Sequence, residues 1–188
     1  MDDPRKKRES LVQQFRHDED AQNKLDRVIV ISVDEKSAEY ITDWALTNFI
    51  DKQRDLVILV HVRNIDLPLA PYINPTGFVE DLDDKKREES HRLLETYAPR
   101  FLNQKIAFKA VAMIGEPKVE IIRKVQEIQA DVLIMGSRHH GLIQRTLLGS
   151  VSDYCVHRCP CSTIIVRPEQ EQTEPPRRRS IFSRRESR

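Results

Sequence analysis

The chain has 188 residues, with 31 lysines and arginines against 30 aspartates and glutamates, so its formal net charge at pH 7 is +1. This balance excludes the overall field by which a protein attracts nucleic acid or an anionic membrane. No apolar run approaches the ~20 residues of a membrane span, and the charged start of the chain does not fit a signal peptide. The three cysteines lie within residues 155–161, an arrangement that favours a reducing compartment over a disulfide scaffold. We therefore expect a cytoplasmic protein, with the nucleus as the alternative, and no membrane or nucleic-acid partner.

Both ends of the chain differ in composition from its middle. Residues 1–25 are strongly charged and have no apolar pattern, and residues 168–188 are rich in Pro, Glu and Arg. Six arginines follow Pro176, opposed only by Glu186. Such composition is typical of disorder. The sequence thus predicts one folded domain over residues 26–167, flanked by a disordered N-terminal segment and a disordered tail.

The first half of this domain predicts two strands around a helix. Arg27–Val33 (RVIVISV) and Asp55–Val62 (DLVILVHV) are β-branched runs suited to strands buried on both faces. Between them, Tyr40, Ile41 and Trp44 follow helical spacing. A proline-rich loop over Asn64–Phe78 comes next, and its length suits a segment that covers a site.

The second half alternates helices and strands in the same way. A long charged helix is predicted over Val79–Asn103, with the charge run Asp83–Glu89 on its solvated face. Strands are predicted at Ile106–Ile114, Asp131–Met135 and Ser162–Val166, with a helix beginning at Pro117 and a short helix over Ser150–Arg158. Strands separated by helical segments imply right-handed crossovers. The expected fold is therefore an α/β domain whose five-stranded parallel sheet carries helices on both faces.

In sheets of this kind ligands bind beyond the carboxyl ends of the strands, at the point where the strand order reverses. The loop after the fourth predicted strand, Gly136 to Gly149, holds three of the five glycines of the chain. Gly149 and Ser150 stand where the last helix begins, and free amides and the helix dipole favour a phosphate there. Arg138 and Arg145 could add positive charge. The alternative is a tight connection in which Ser150 is only an N-cap.

This stretch resembles the signature of the universal stress proteins, G-x2-G-x9-G-[S/T] after a strand of the form ADLLVMGS. Ala130–Arg138 (ADVLIMGSR) and Leu147–Ser152 (LLGSVS) match it, and so do Ile31–Asp34, Val60–Val62 and Ile165–Arg167. The resemblance covers about residues 26–167. It implies a five-stranded parallel α/β fold, often dimeric through the last strand, that binds ATP, in some members together with Mg or Mn.

Carried over by position, the resemblance implies a nucleotide site built from three groups of residues. Ser32, Val33 and Asp34 would line the nucleoside site, and Val62 and Met135 would contact the base. The ribose and phosphates would be surrounded by Gly136, Arg138, His139, Gly149, Ser150, Val151 and Ser152. His139 stands where the signature has its middle glycine, and Gly141 follows two residues later. This departure favours an alternative to ATP binding, a nucleotide-free dimeric interaction module of the same fold.

The family implies a stress-response or signalling protein that uses ATP as a regulatory ligand. No nucleophile paired with a base is evident in the sequence, so a slow nucleotide hydrolase is the weaker alternative and no catalytic residue is assigned. The cluster of Cys155, His157, Cys159 and Cys161 suits structural or redox-reactive thiols better than a metal site. In the tail, Arg-Arg-Arg-Ser180 and Arg-Arg-Glu-Ser187 resemble sites for basophilic kinases, whose phosphates would cancel much of the local positive charge. Other protein partners would bind the same tail.

Overall fold

The computed structural model describes residues 9–64, 78–137 and 148–168. The elements in chain order are β1 (Glu9–Phe15), α1 (Glu19–Gln22), β2 (Arg27–Ser32), α2 (Ala38–Asn48), β3 (Asp55–Arg63), α3 (Phe78–Asn103), β4 (Ala107–Ile114), α4 (Pro117–Glu127), β5 (Val132–Gly136), α5 (Ser150–Arg158) and β6 (Ser162–Val166). Within these ranges no helix is both long and apolar enough to cross a membrane.

The strands form one sheet in the order β1-β4-β3-β2-β5-β6. β2 pairs in parallel with both of its neighbours, β3 and β5. The pairings of β3 with β4 and of β5 with β6 are also parallel. The chain adds β3 and β4 on one side of β2 and then returns to add β5 and β6 on the other side. The reversal makes the carboxyl ends of β2 and β5 the switch point of the sheet.

The β-branched runs are buried on both faces because helices cover both. On one face Ile29 and Ile31 of β2 pack with Ile41 of α2 and with Leu94 and Phe101 of α3. On the other face Val30 of β2 packs with Ile121 and Val125 of α4 and with Cys155 of α5. These two cores confirm the predicted α/β architecture with helices on both faces.

The sheet has six strands instead of the predicted five, because part of the N-terminal segment is ordered. β1 pairs antiparallel with the outer edge of β4, and Glu9 lies opposite Met113. The prediction that residues 1–25 are disordered is therefore wrong for residues 9–25, which form β1 and α1. Residues 1–8 and 169–188 lie outside the described residues, so disorder there stays a prediction.

Polar contacts hold β1, which is why its sequence lacks the apolar signature of the other strands. Glu9 contacts both Arg123 and Lys124 of α4, and its carboxylate lies 2.5 Å from Lys124 Nζ. Ser10 Oγ and His91 Nε2 are 2.7 Å apart, which joins β1 to α3. Only Val12 and Phe15 of β1 pack against the core. A strand held by ion pairs with residues more than a hundred positions away gives no local sequence pattern.

Candidate functional site

A cavity of about 270 Å³ opens at the switch point of the sheet. Its lining comes from the carboxyl ends of β2, β3 and β5, from α3, from the first two turns of α4 and from the first turn of α5. The predicted strand ends and the predicted loop thus meet at one place, as the reversal of strand order requires.

Ten of the residues predicted for the nucleotide site lie within the described part of the chain, and all ten line this cavity. They are Ser32, Val33, Asp34, Val62, Met135, Gly136, Gly149, Ser150, Val151 and Ser152. The other two, Arg138 and His139, lie outside the described residues, and so do Ser180 and Ser187 of the tail. The roles assigned to all of them stay predictions.

The first turn of α5 borders the cavity with its amide end. Gly149 is the N-cap, with extended backbone, and Ser150 is the first helical residue. This corrects the alternative in which Ser150 serves as the N-cap. By helix geometry the amides of Ser150 and Val151 have no acceptor within α5, so they suit an anion from outside the helix. Ser152 is 2 % exposed, and its hydroxyl donates to the carbonyl of Gly149 at 2.9 Å, which holds this turn in place.

Asp34 follows β2 and organises the turn that leads into α2. Its Oδ1 accepts the amides of Lys36 and Ser37, both at 3.0 Å. The carboxylate thus holds the turn that precedes α2, whose N-cap is Ser37. Because Asp34 also lines the cavity, the turn fixes a negative charge at the end of β2.

Gly136, at the end of β5, must be a glycine because α2 approaches it closely. A Cβ at this position would lie 2.9 Å from Ile41 Cδ1 and 2.9 Å from Ser37 Cβ, and closer still to the Tyr40 hydroxyl. That hydroxyl donates to the carbonyl of Ser137 at 3.2 Å. Burial, aided by the charge of Asp34, raises the pKa of Tyr40 to about 12, so Tyr40 stays neutral and keeps this bond.

The cavity has apolar walls suited to a flat ring. Val33 and Met135 are almost fully buried, at 3 % and 4 % exposure, and Ile121 of α4 is equally enclosed. Val62 and Val151 are half-buried beside them. These apolar side chains form one part of a lining whose other residues are mainly polar and charged.

One wall of the cavity was missed by the sequence analysis. His61 of β3 is buried, its Nδ1 lies 2.7 Å from the Ser90 hydroxyl of α3, and its Nε2 lies 3.5 Å from Glu35 Oε1. Lys86, one turn before Ser90, also lines the cavity. Helical spacing could have identified this wall. Lys86 and Ser90 lie eight and four residues before the buried Leu94, and therefore on the same face of α3. The prediction of a solvated face holds for Asp84, Lys85 and residues 87–89, which are exposed, but not for the half-buried Lys86.

The charged residues of the described lining are mixed in sign. Three carboxylates, those of Asp34, Glu35 and Glu89, accompany the cations of Arg63 and Lys86. The described residues contain no group of three His, Cys, Asp or Glu side chains that could hold a metal ion. Among the described residues, the sources of attraction for an anion are the helix terminus and those two cations.

A doubly wound α/β sheet with a lined cavity at its switch point defines the general class of this protein. The particular group follows from comparison with known proteins. The model of the universal stress protein family matches residues 24–167, and the chain belongs to that family. β1 lies outside the matched range.

Curated relatives and solved structures agree with this assignment. The chain is 24 % identical over 138 residues to a universal stress protein A-like protein of Arabidopsis thaliana, covering 70 % of this chain and 78 % of that protein. It is 40 % identical over 101 residues to a universal stress protein of Methanothermobacter thermautotrophicus, covering 52 % of this chain and 68 % of that one. The fold resembles universal stress protein UspA from Lactobacillus plantarum, with a TM-score of 0.62, 20 % identity and coverage of 75 % and 97 %. It also resembles an Arabidopsis thaliana family protein crystallised with AMP bound, with a TM-score of 0.55, 21 % identity and coverage of 79 % and 96 %.

Proposed function

We propose that this protein binds an adenine nucleotide, ATP, in the switch-point cavity and uses it as a regulatory ligand in a stress response. The observation that carries the proposal is the convergence of ten predicted residues on one cavity that also borders a helix N-terminus. The Arabidopsis protein with AMP bound supports the choice of adenine.

In this proposal the ligand spans the cavity from an apolar to a polar end. The base lies between Val62 and Met135, where two strand ends supply apolar surface. The ribose lies beside Asp34, whose carboxylate is held by its own turn. The phosphates lie at the first turn of α5, where Ser150 and Val151 offer backbone amides.

A divalent cation, Mg or Mn, would accompany the phosphates of ATP. Such ions keep several waters and bind mainly through phosphate oxygens and one or two carboxylates. Asp34 and Glu35 are the acidic residues of the β2–α2 turn that could contribute, and the absence of a three-ligand cluster among the described residues fits this weak role for the protein.

We propose a regulatory rather than a catalytic use of the nucleotide. His61 has the carboxylate and hydroxyl neighbours that an acid–base group needs, but Ser90 is fully buried and serves to orient the imidazole. A slow hydrolase remains the alternative. A hydrolase should release phosphate from ATP faster than buffer alone, and Gly149→Val should lose this excess. The regulatory proposal expects the wild type and Gly149→Val alike to release phosphate no faster than buffer alone.

The proposal includes a homodimer formed through β6. This strand lies at one end of the described sheet, and its only sheet neighbour there is β5. A strand edge offers unpaired amides and carbonyls to a second copy. Light scattering on the full chain should give twice the monomer mass. Thr163→Pro should return it to the monomer, because alternation along β6 turns the amide of Thr163 away from β5, and circular dichroism checks that the variant folds. A monomeric wild-type protein contradicts this part.

Nucleotide binding is tested by denaturing the purified protein and separating the released small molecules by chromatography. We expect an adenine nucleotide, or, after stripping, a rise in melting temperature at millimolar Mg-ATP. Gly149→Val should weaken both results, because the side chain crowds the amides of α5 that hold the phosphates. His157→Gln, exposed in the last turn of the same helix, is the matched control and should bind normally. Without released nucleotide and without a thermal shift, the nucleotide-free interaction module would be the better description.

His139 gives a second test of the same proposal. If the side chain of His139 obstructs the phosphates, His139→Gly restores the family signature and should tighten ATP binding. Unchanged or weaker binding would show that the histidine does not obstruct the ligand.

A further inference from the structure

Two cysteines stand side by side where α5 ends and β6 begins. The Sγ atoms of Cys159 and Cys161 are 3.4 Å apart, and both residues are half-buried free thiols. Cys159 is the C-cap of α5, its amide donating to the carbonyl of Cys155 at 2.8 Å. Cys161 directly precedes β6, and Pro160 between them is exposed. Neither thiol belongs to the lining of the switch-point cavity.

We propose that Cys159 and Cys161 form a redox-active dithiol that hydrogen peroxide oxidises to an intramolecular disulfide. The reaction balances as two thiols and one peroxide giving one disulfide and two waters. One cysteine sulfur attacks the peroxide, the O–O bond breaks, an S–O bond forms and the first water leaves. The second sulfur then attacks the sulfenic sulfur, the S–O bond breaks, and the oxygen leaves with its protons as the second water.

The geometry favours closure of this pair. The sulfurs need to approach by only about 1.3 Å to reach the ~2.05 Å of an S–S bond. Cys155 is the only other cysteine, and its side chain is fully buried in the core on the inner face of α5. Full burial shields the Cys155 thiol from peroxide in solution, whereas the pair is only half-buried, and burial also raises the pKa of Cys155 to about 11. The pair can therefore react with itself without competition from the third thiol.

The same geometry makes the disulfide easy to reduce. Residues two apart along an extended chain have Cα atoms up to about 6.6–7.2 Å from each other, and disulfides prefer about 4.4–6.8 Å. Closing a bond over one intervening residue thus strains the backbone, and strained disulfides are the reducible ones. The pair suits a reversible switch rather than a structural crosslink.

The oxidation is tested on the full-length reduced protein treated with stoichiometric hydrogen peroxide and then with a thiol-alkylating reagent. Of the three thiols that alkylate before treatment, only one should alkylate afterwards under denaturing conditions. Trypsin cleavage after Arg158 places Cys155 on a separate peptide from the pair. In the oxidised protein the peptide that begins at Cys159 should carry no alkyl group and should weigh about 2 Da less than its dithiol form. Reduction with glutathione should restore the dithiol mass.

Variants separate this inference from general thiol chemistry. Cys155→Ser should keep the disulfide, whereas Cys159→Ser and Cys161→Ser should each lose it; circular dichroism checks that all three fold. A disulfide that depends on Cys155, a covalent dimer, or stable sulfinic acid on the pair would each overturn the proposal. Nucleotide binding plays no part in these readouts, so the two proposals fail or succeed separately.

Discussion

The ion pairs that hold β1 to α4 give the sharpest prediction for stability. The Glu9 carboxylate, 18 % exposed, lies 2.5 Å from the ammonium of Lys124, which is 8 % exposed, and also contacts Arg123. In Glu9→Gln the buried ammonium keeps only the carboxylate of Glu127, at 3.3 Å, as its acidic contact. A charge-assisted hydrogen bond is worth about 1.5–3 kcal/mol, and removing one partner of a buried pair costs more than the pair contributes. We expect Glu9→Gln to lower the free energy of unfolding by about 2–3 kcal/mol.

Glu127→Gln is the matched control, because Glu127 touches the same two cations from an exposed position. Its side chain is 45 % exposed, so solvent screens the interaction and the cost should be about 0.5 kcal/mol or less. Urea denaturation at pH 7 measures both changes. Hydrogen exchange should further show that Glu9→Gln loosens β1 and the edge of β4 while β2 stays protected. Equal costs for the two variants, or a Glu9→Gln protein as stable as the wild type, would refute the reasoning.

The ion pairs of Glu9 should also determine how the stability of the protein changes at low pH. Burial on its own would raise the pKa of Glu9, but the hydrogen bonds from Lys124 and Arg123 outweigh it and hold the pKa below 4.5. When folding lowers the pKa of a carboxyl, the ionised carboxylate stabilises the folded state. This stabilisation is fully present at a pH above the pKa of the unfolded state, and it is lost as the pH falls through the pKa of the folded state. As the pH falls below about 4.5, the free energy of unfolding of the wild type should therefore decrease more steeply than that of Glu9→Gln. If the two proteins lost stability in parallel, the ion pairs with Lys124 and Arg123 would not be the cause of the lowered pKa.

Two further substitutions test the packing around the site and the base of the sheet. Gly136→Ala should destabilise the protein by about 1–3 kcal/mol through overpacking, as measured by chemical denaturation. Adding Tyr40→Phe should recover part of this loss, because it removes the hydroxyl that lies closest to the new Cβ. Losses of stability that simply add in the double variant would argue against that contact. Asp55 is fully buried, binds Arg27 through both oxygens at 2.7 Å and accepts the amide of Asp51 at 2.7 Å. Asp55→Asn should therefore cost about 2–4 kcal/mol in the same assay, whereas Asp26→Asn, in an exposed ion pair, should leave stability unchanged.

The five core strands and the place of the site could be predicted because their signals are local. β2 and β3 are continuous β-branched runs, and the alternation with helices sets the parallel topology and hence the end of the sheet where a ligand binds. The glycines of the loop after β5 predicted the place of the site, although the close approach of α2 to Gly136 was not foreseen. None of these inferences needed knowledge of distant contacts.

The features that the sequence did not reveal depend on residues far apart in the chain. β1 is an edge strand whose carboxylate is matched by cations on α4, so its composition looks like that of a solvated tail. The wall formed by His61 and Ser90 joins β3 to α3, and neither residue is unusual in its own element. Lys86 lies in a charge run whose other described side chains face solvent, and only the continued helical stripe distinguishes it.

The central claim is that the switch-point cavity binds ATP with its phosphates at the first turn of α5. Isothermal titration of nucleotide-free protein with Mg-ATP and with adenosine tests it most directly. We predict saturable ATP binding that is stronger than adenosine binding, with Gly149→Val losing the difference between the two ligands while it still binds adenosine. Equal binding of ATP by wild type and Gly149→Val, or no ATP binding by the wild-type protein, would contradict the account.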